Sequence, residues 1–131
     1  MKVGFDYWQV ISHYPDQIAQ LMFGQLELGC EVHVISAIGK GRVGTIRHDV
    51  QETFDASHYL VEPDSYQVHE VVFDNPKQSP ELKLAKCQEL GIDIFFDDRD
   101  DVCRLLNQNG ILAFRVPRKD NSTYDLSGER T

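Results

Sequence analysis

Four carboxylates crowd into five residues at Asp97-Asp98-Arg99-Asp100-Asp101, and Asp6 ends the first apolar run of the chain, KVGFD. Acids this close repel one another unless solvent or a cation neutralises them. Asp6 follows Phe5, and Asp97 with Asp98 follows Phe95 and Phe96, so these three sit where apolar strands would end. A hard cation such as Mg²⁺ takes oxygen ligands and keeps several waters; two carboxylates and a backbone carbonyl from different loops make a workable partial shell. Asp6, Asp98 and the Trp8 carbonyl would supply it, with Asp97 as a direct or outer partner. Beside such a cation, Asp6 can attack phosphorus, a hydroxyl such as Ser36 can donate to a phosphate oxygen, and a lysine can neutralise developing charge. Plainer roles exist for the same residues: Asp6 and Ser36 as turn residues, Asp100 and Asp101 as acids at a helix N-terminus.

The elements needed to position these groups are legible in the pattern. Lys2 to Phe5 reads as a buried strand. Asp16 to Leu28 carries Ile18, Ala19, Leu21, Met22, Leu26 and Leu28 at helical spacing, framed by Pro15 and Gly29. Glu31 to Ser36 is a β-branched strand, followed by a Gly-rich loop from Ala37 to Gly44 that contains Lys40 and Arg42. Thr45 to Phe54 is expected as a second helix, with poor periodicity from there to Tyr66, and Val68 to Phe73 as the third strand. Ser79 offers an N-cap and Pro80 a first helical position for a helix that closes at Gly91. Ile92 to Phe96 is the fourth strand, Val102 to Asn109 a helix, and Ile111 to Val116 the fifth strand. Such alternation predicts a three-layer Rossmann-like α/β sandwich, a five-stranded parallel sheet flanked by helices, with ligands at the carboxyl ends of the strands. Residues 1–117 form the expected domain and 118–131 a polar tail.

Composition narrows the classes. The chain has 131 residues, 41% hydrophobic and 26% charged, with no apolar run near the ~20 residues that span a bilayer. No signal peptide is evident because Asp6 interrupts the first apolar run, so a soluble, cytoplasmic protein without a membrane partner is expected. Cys30, Cys87 and Cys103 read as reduced thiols, and the five histidines lack paired metal-ligand spacing. A net charge of -8 disfavours broad nucleic-acid binding. No P-loop or GxGxxG occurs, and Gly39-Lys40-Gly41-Arg42 follows the wrong strand for a dinucleotide fingerprint.

In order, VGFDYWQV, VHVIS, a lysine near a helix start and IDIFFDDRDDV resemble the four motifs of the haloacid dehalogenase (HAD) superfamily. The resemblance runs nearly to Val116. The DDR ending followed by a helix and Gly110 is similar to the phosphatase domain of phage polynucleotide kinase. It implies a HAD fold without a large cap and a Mg²⁺-dependent phosphohydrolase that works through an aspartyl-phosphate at Asp6. The substrate would be a phosphomonoester, large ones included because no cap encloses the site, and nucleic acid would enter only as an end to be dephosphorylated. The catalytic set is then Asp6, Ser36 and a lysine; the metal set is Asp6, Trp8, Asp97 and Asp98; Ser36, Ala37, Lys40 and Arg42 would contact substrate. The lysine is either Lys83, fourteen positions before Asp97, or Lys77 in KQSPEL. Oligomeric state is not encoded in these motifs.

One residue departs from the family pattern. HAD phosphatases carry a second Asp two positions after the nucleophile, as general acid and base; here that position is Trp8. Losing such a group removes a factor of about 10² to 10⁴. Trp8 and Tyr7 would pack, or stack on a ring. The alternative function is therefore a binding or regulatory module with impaired catalysis. A receiver-like phospho-acceptor ranks below both, because receivers place their acidic pair near the first strand.

Overall fold

The computed structural model describes residues 1–119 of the chain. Five strands alternate with four α-helices there: β1 Lys2–Phe5, α1 Pro15–Glu27, β2 Glu31–Gly39, α2 Ile46–Asp55, β3 Gln67–Phe73, α3 Ser79–Leu90, β4 Ile94–Asp97, α4 Asp100–Gln108 and β5 Leu112–Arg115. Every neighbouring pair is parallel, in the order β3-β2-β1-β4-β5. This is the expected three-layer Rossmann-like α/β architecture. No large cap is inserted among the described residues. The expected tail lies outside the described residues from position 120 onward.

The layers follow from alternation along the strands, whose successive side chains face opposite sides of the sheet. Val3, Phe5, Val32, Val34 and Ile38 pack with Ile18, Ala19 and Met22 of α1 and with Ile46, Val50 and Phe54 of α2. Ile35, Val71 and Phe95 pack on the other face with Cys87 of α3 and Val102, Cys103 and Leu106 of α4. Gly4 is required where β1 meets β4: a Cβ there would lie 2.5 Å from a ring carbon of Phe95. Close packing admits no such contact.

Several boundaries move, each for a tertiary reason. β2 continues past Ser36 because β3 keeps pairing with it, through Ala37↔Val71 and Ile38↔Val72 to Gly39↔Phe73. Thus Ser36 is interior to a strand, and the loop starts after Gly39. Ser79 does not cap α3 but is its first residue, with helical φ -56° and ψ -44°. The preceding turn at Pro76–Gln78 has its own cap, while α3 has none from a side chain: Lys77 N donates to Asn75 Oδ1 (2.9 Å), and Asp74 N donates to Gln78 Oε1 (2.9 Å). α3 ends as expected, at Gly91 with φ 74°, a left-handed position that glycine occupies without steric cost.

The topology makes the site. The chain leaves β1 for β2 on one side and returns through α3 to β4 on the other. The carboxyl ends of β1 and β4 lie at that reversal, where open α/β sheets bind ligands. Asp6 N donates to Phe96 O (2.9 Å), which sets Asp6 beside the start of the Asp97-Asp98 pair.

Candidate active site

Beyond Phe5 the chain turns tightly over Tyr7–Ile11. Ser12 N donates to Tyr7 O (2.9 Å), and Gln9 N donates to Ser12 Oγ (2.9 Å). Gln9 takes φ 66°, a left-handed conformation that an L residue with a Cβ adopts at a cost of about 1 kcal/mol or more. The turn faces the ends of β2 and β4 across a cleft of about 230 Å³. Asp6, Trp8 and Gln9 line it from one side, Ala37 and Phe73 from another, Ser79 and Lys83 from α3, and Asp98, Arg99 and Arg118 complete it. A larger apolar pocket between α1 and residues 60–65 contains none of these carboxylates.

Asp6, Asp97 and Asp98 each offer an oxygen within 4.8 Å of the others, and all three are buried. Lys83, 2% exposed, reaches up from α3 and joins two of them: Nζ is 2.6 Å from Asp97 Oδ2 and 3.1 Å from Asp6 Oδ1. Asp97 is spoken for at both oxygens, because Arg99 N donates to Oδ1 (3.0 Å). It orients Lys83, while Asp6 and Asp98 are the carboxylates that face the cleft. Asp6 Oδ1 also accepts from Tyr7 N (2.9 Å), so both protein donors converge on that oxygen.

The charges are not balanced. Three buried carboxylates face two cations: the Lys83 ammonium, paired with Asp6 and Asp97, and the Arg118 guanidinium, 3.8 Å from Asp98 Oδ2. Burial raises Asp6 well above the usual carboxylate pKa; Lys83 pulls it down, and Asp97 and Asp98 push it up again. Burial and then Asp97 lift Asp98 to about 6. Burial would lower the Lys83 ammonium, but Asp6 and Asp97 overcome it and hold Lys83 above its usual value. An all-oxygen donor set with excess negative charge suits a hard divalent cation.

Lys83, not Lys77, reaches the carboxylates; Lys77 is exposed on the turn before α3. Ser36 is fully buried but shares the sheet face of Val34 and Ile38, opposite the face from which Lys83 approaches, and does not line the cleft. Its expected contact with a phosphate oxygen is therefore not available in this geometry. Ala37, its neighbour, lines the cleft but has no hydroxyl. Lys40 is exposed and paired with Asp74 at 2.5 Å, so it is not a cleft residue. Arg42 sits 5.0 Å over the Trp8 ring and 3.6 Å from Asp49. Trp8 lines the cleft at the position the resemblance assigns to a general acid, 39% exposed.

Asp101 takes the structural role open to it, holding Arg99 through two contacts of 3.0 and 2.7 Å at the start of α4. Of the charged and hydroxyl-bearing cleft residues, three escape sequence reasoning: Ser79, Arg99 and Arg118. Ser79 reads as a cap, Arg99 as a spacer between acids, and Arg118 as part of the polar tail. The spacing of Ser79 four residues before Lys83, which puts both on one helix face, is the signal that could have found the first.

No family model matches the chain, and no curated protein matches its sequence. Solved structures do match in shape. The hexameric APS kinase from Thiobacillus denitrificans is similar at a TM-score of 0.50 and 10% identity, over 99% of this chain but only 27% of that one. A likeness at this identity is one of fold, and the fold it supports is the Rossmann-like α/β sandwich described above.

Proposed function

We propose that the cleft is a Mg²⁺-dependent phosphoryl-transfer site, and that the chain is a HAD-like phosphohydrolase of phosphomonoesters. The observation that carries this is the cluster of Asp6, Asp97 and Asp98, the first two paired with buried Lys83, at the reversal of strand order. Asp6 and Asp98 would hold the cation, which would supply charge neutralisation on the phosphoryl oxygens. Lys83 opposes the protonation that burial favours at Asp6 and would stand next to the position of the incoming phosphoryl group. Asp6 Oδ2 would attack phosphorus, forming the acyl-phosphate O–P bond as the bond to the leaving alkoxide breaks. Water then cleaves the acyl phosphate, releasing inorganic phosphate and regenerating the Asp6 carboxylate.

A second reading rests on Trp8. An indole has no proton to give at neutral pH, so the alkoxide must take its proton from water, and no side chain at this position activates the attacking water. Cation and phosphate would then bind with little turnover. A chromogenic phosphomonoester assayed with Mg²⁺ on wild type, Asp6→Asn and Trp8→Asp separates the two. Phosphate release by wild type that Asp6→Asn abolishes supports the hydrolase. Release by Trp8→Asp alone establishes the binding module, and release by neither, across a broad phosphate panel, sinks the hydrolase.

A further inference from the structure

We propose that Ser79, at the first turn of α3, is the hydroxyl that binds the phosphate-class anion in the cleft, in the place that sequence assigns to Ser36. The inference rests on reading the cleft as a phosphoryl site. Ser79 is 1% exposed, and its Oγ has no hydrogen-bond partner among the described residues. A buried hydroxyl without a partner costs stability, so it is expected to have one in the working protein. The residue is among those that line the cleft, and the inference is that its missing partner enters from there.

Three features fit the partner to an oxyanion. Ser79 stands one turn before Lys83, so its hydroxyl and the ammonium belong to one face of α3. Asn75 and Gln78 cap the short turn that precedes α3, α3 itself has no side-chain cap, and the Ser79 hydroxyl is not committed to one. The start of a twelve-residue helix carries the positive end of the helix dipole, a setting that favours anions. Ser36 has an equally unpartnered Oγ, but it faces the α1–α2 side of the sheet and does not line the cleft.

Calorimetry with inorganic phosphate on the full chain, in Mg²⁺ and again in chelator, tests this on wild type, Ser79→Ala and Ser36→Ala. Ser79→Ala should weaken phosphate binding at least about tenfold, the scale of a hydrogen bond to a charged group. Its Mg²⁺ affinity without phosphate should be that of wild type, and Ser36→Ala should change phosphate affinity less than about twofold. Because Ser79→Ala deletes an unpartnered hydroxyl, its melting temperature in the absence of phosphate should equal or exceed that of wild type. Unchanged phosphate affinity in Ser79→Ala, loss in Ser36→Ala alone, no phosphate binding by wild type, or a lowered melting temperature for Ser79→Ala would each overturn the assignment. Phosphate binding that depends on Ser79 without any Mg²⁺ binding would instead overturn the metal reading and leave this one standing.

Discussion

At the scale of single residues, Lys83 decides how the site behaves. It is the only cation within 3.1 Å of Asp6 and Asp97 among the described residues, and removing it leaves buried carboxylates facing one another. Breaking a buried pair by deleting one partner costs about 3–5 kcal/mol, because the remaining charge has no compensation. Lys83→Met is therefore expected to destabilise strongly at pH 8 and less at pH 5, where the carboxylates with raised pKa values take up protons. Lys77→Met should leave the melting temperature unchanged at both pH values, since Lys77 is exposed. Equal losses for Lys83→Met at pH 5 and pH 8 would show that packing, not charge, is what the ammonium supplies. The choice between the two lysines was open in sequence because both precede a helix-compatible stretch; only the approach of α3 to β4 closes it.

At the scale of elements, most of the sheet is legible in the chain, and the exceptions have tertiary causes. Alternation and β-branching mark β1, β2 and β3, and Gly91 marks the end of α3. The length of β2 is different, because nothing within Glu31–Gly39 says where β3 will stop pairing with it. That single extension turns Ser36 from a candidate ligand into a buried strand residue. α2 gives the clearest case. Thr45 makes no side-chain cap for it, although Ile46, Val50 and Phe54 form a regular buried stripe. Its N-terminus is held from β3: Glu70 accepts from Gly44 N at 2.8 Å and from Ile46 N at 3.1 Å. A carboxylate capping a helix start from 24 positions away satisfies free N–H groups and opposes the dipole, with no local sequence trace. Glu70→Ala should cost about 1 kcal/mol in denaturant melts, within the usual range for a lost cap, and Glu70→Gln less. A neutral result for Glu70→Ala would mean that α2 is held by Ile46, Val50 and Phe54 alone.

At the scale of the whole molecule, two clusters of titrating groups, the carboxylates buried and His69 partly so, sit at opposite ends of the sheet and pull stability in opposite directions with pH. At the amino-terminal ends of β2 and β3, His33 Nδ1 and His69 Nε2 are 2.9 Å apart, and His33 Nε2 is 2.7 Å from Glu31. Five scattered histidines gave no hint of this pair, because parallel pairing of β2 with β3 brings the two together. Burial, and then His33, lower the His69 pKa, so its contribution is present above the unfolded imidazole value and is lost as pH falls. At the carboxyl ends, Asp6 and Asp98 are raised, so their contribution is present below the unfolded carboxylate value and is lost as pH rises, through about 6 for Asp98. In chelator, the melting temperature should therefore fall as pH rises from 5 to 7, a fall that His69 opposes in part because its unfolded imidazole titrates in the same window. A divalent cation reverses this slope, because it binds the ionised carboxylates and competes with their protons. Mg²⁺ should raise the melting temperature by several degrees at pH 8 and by much less at pH 5, against sodium chloride of matched ionic strength. Asp98→Asn should flatten the fall in chelator and abolish most of the Mg²⁺ gain. An Mg²⁺ effect of equal size at both pH values would place the cation elsewhere on a surface of net charge -8, and no effect at either would leave the Asp6, Asp97 and Asp98 cluster without the occupant its charge calls for.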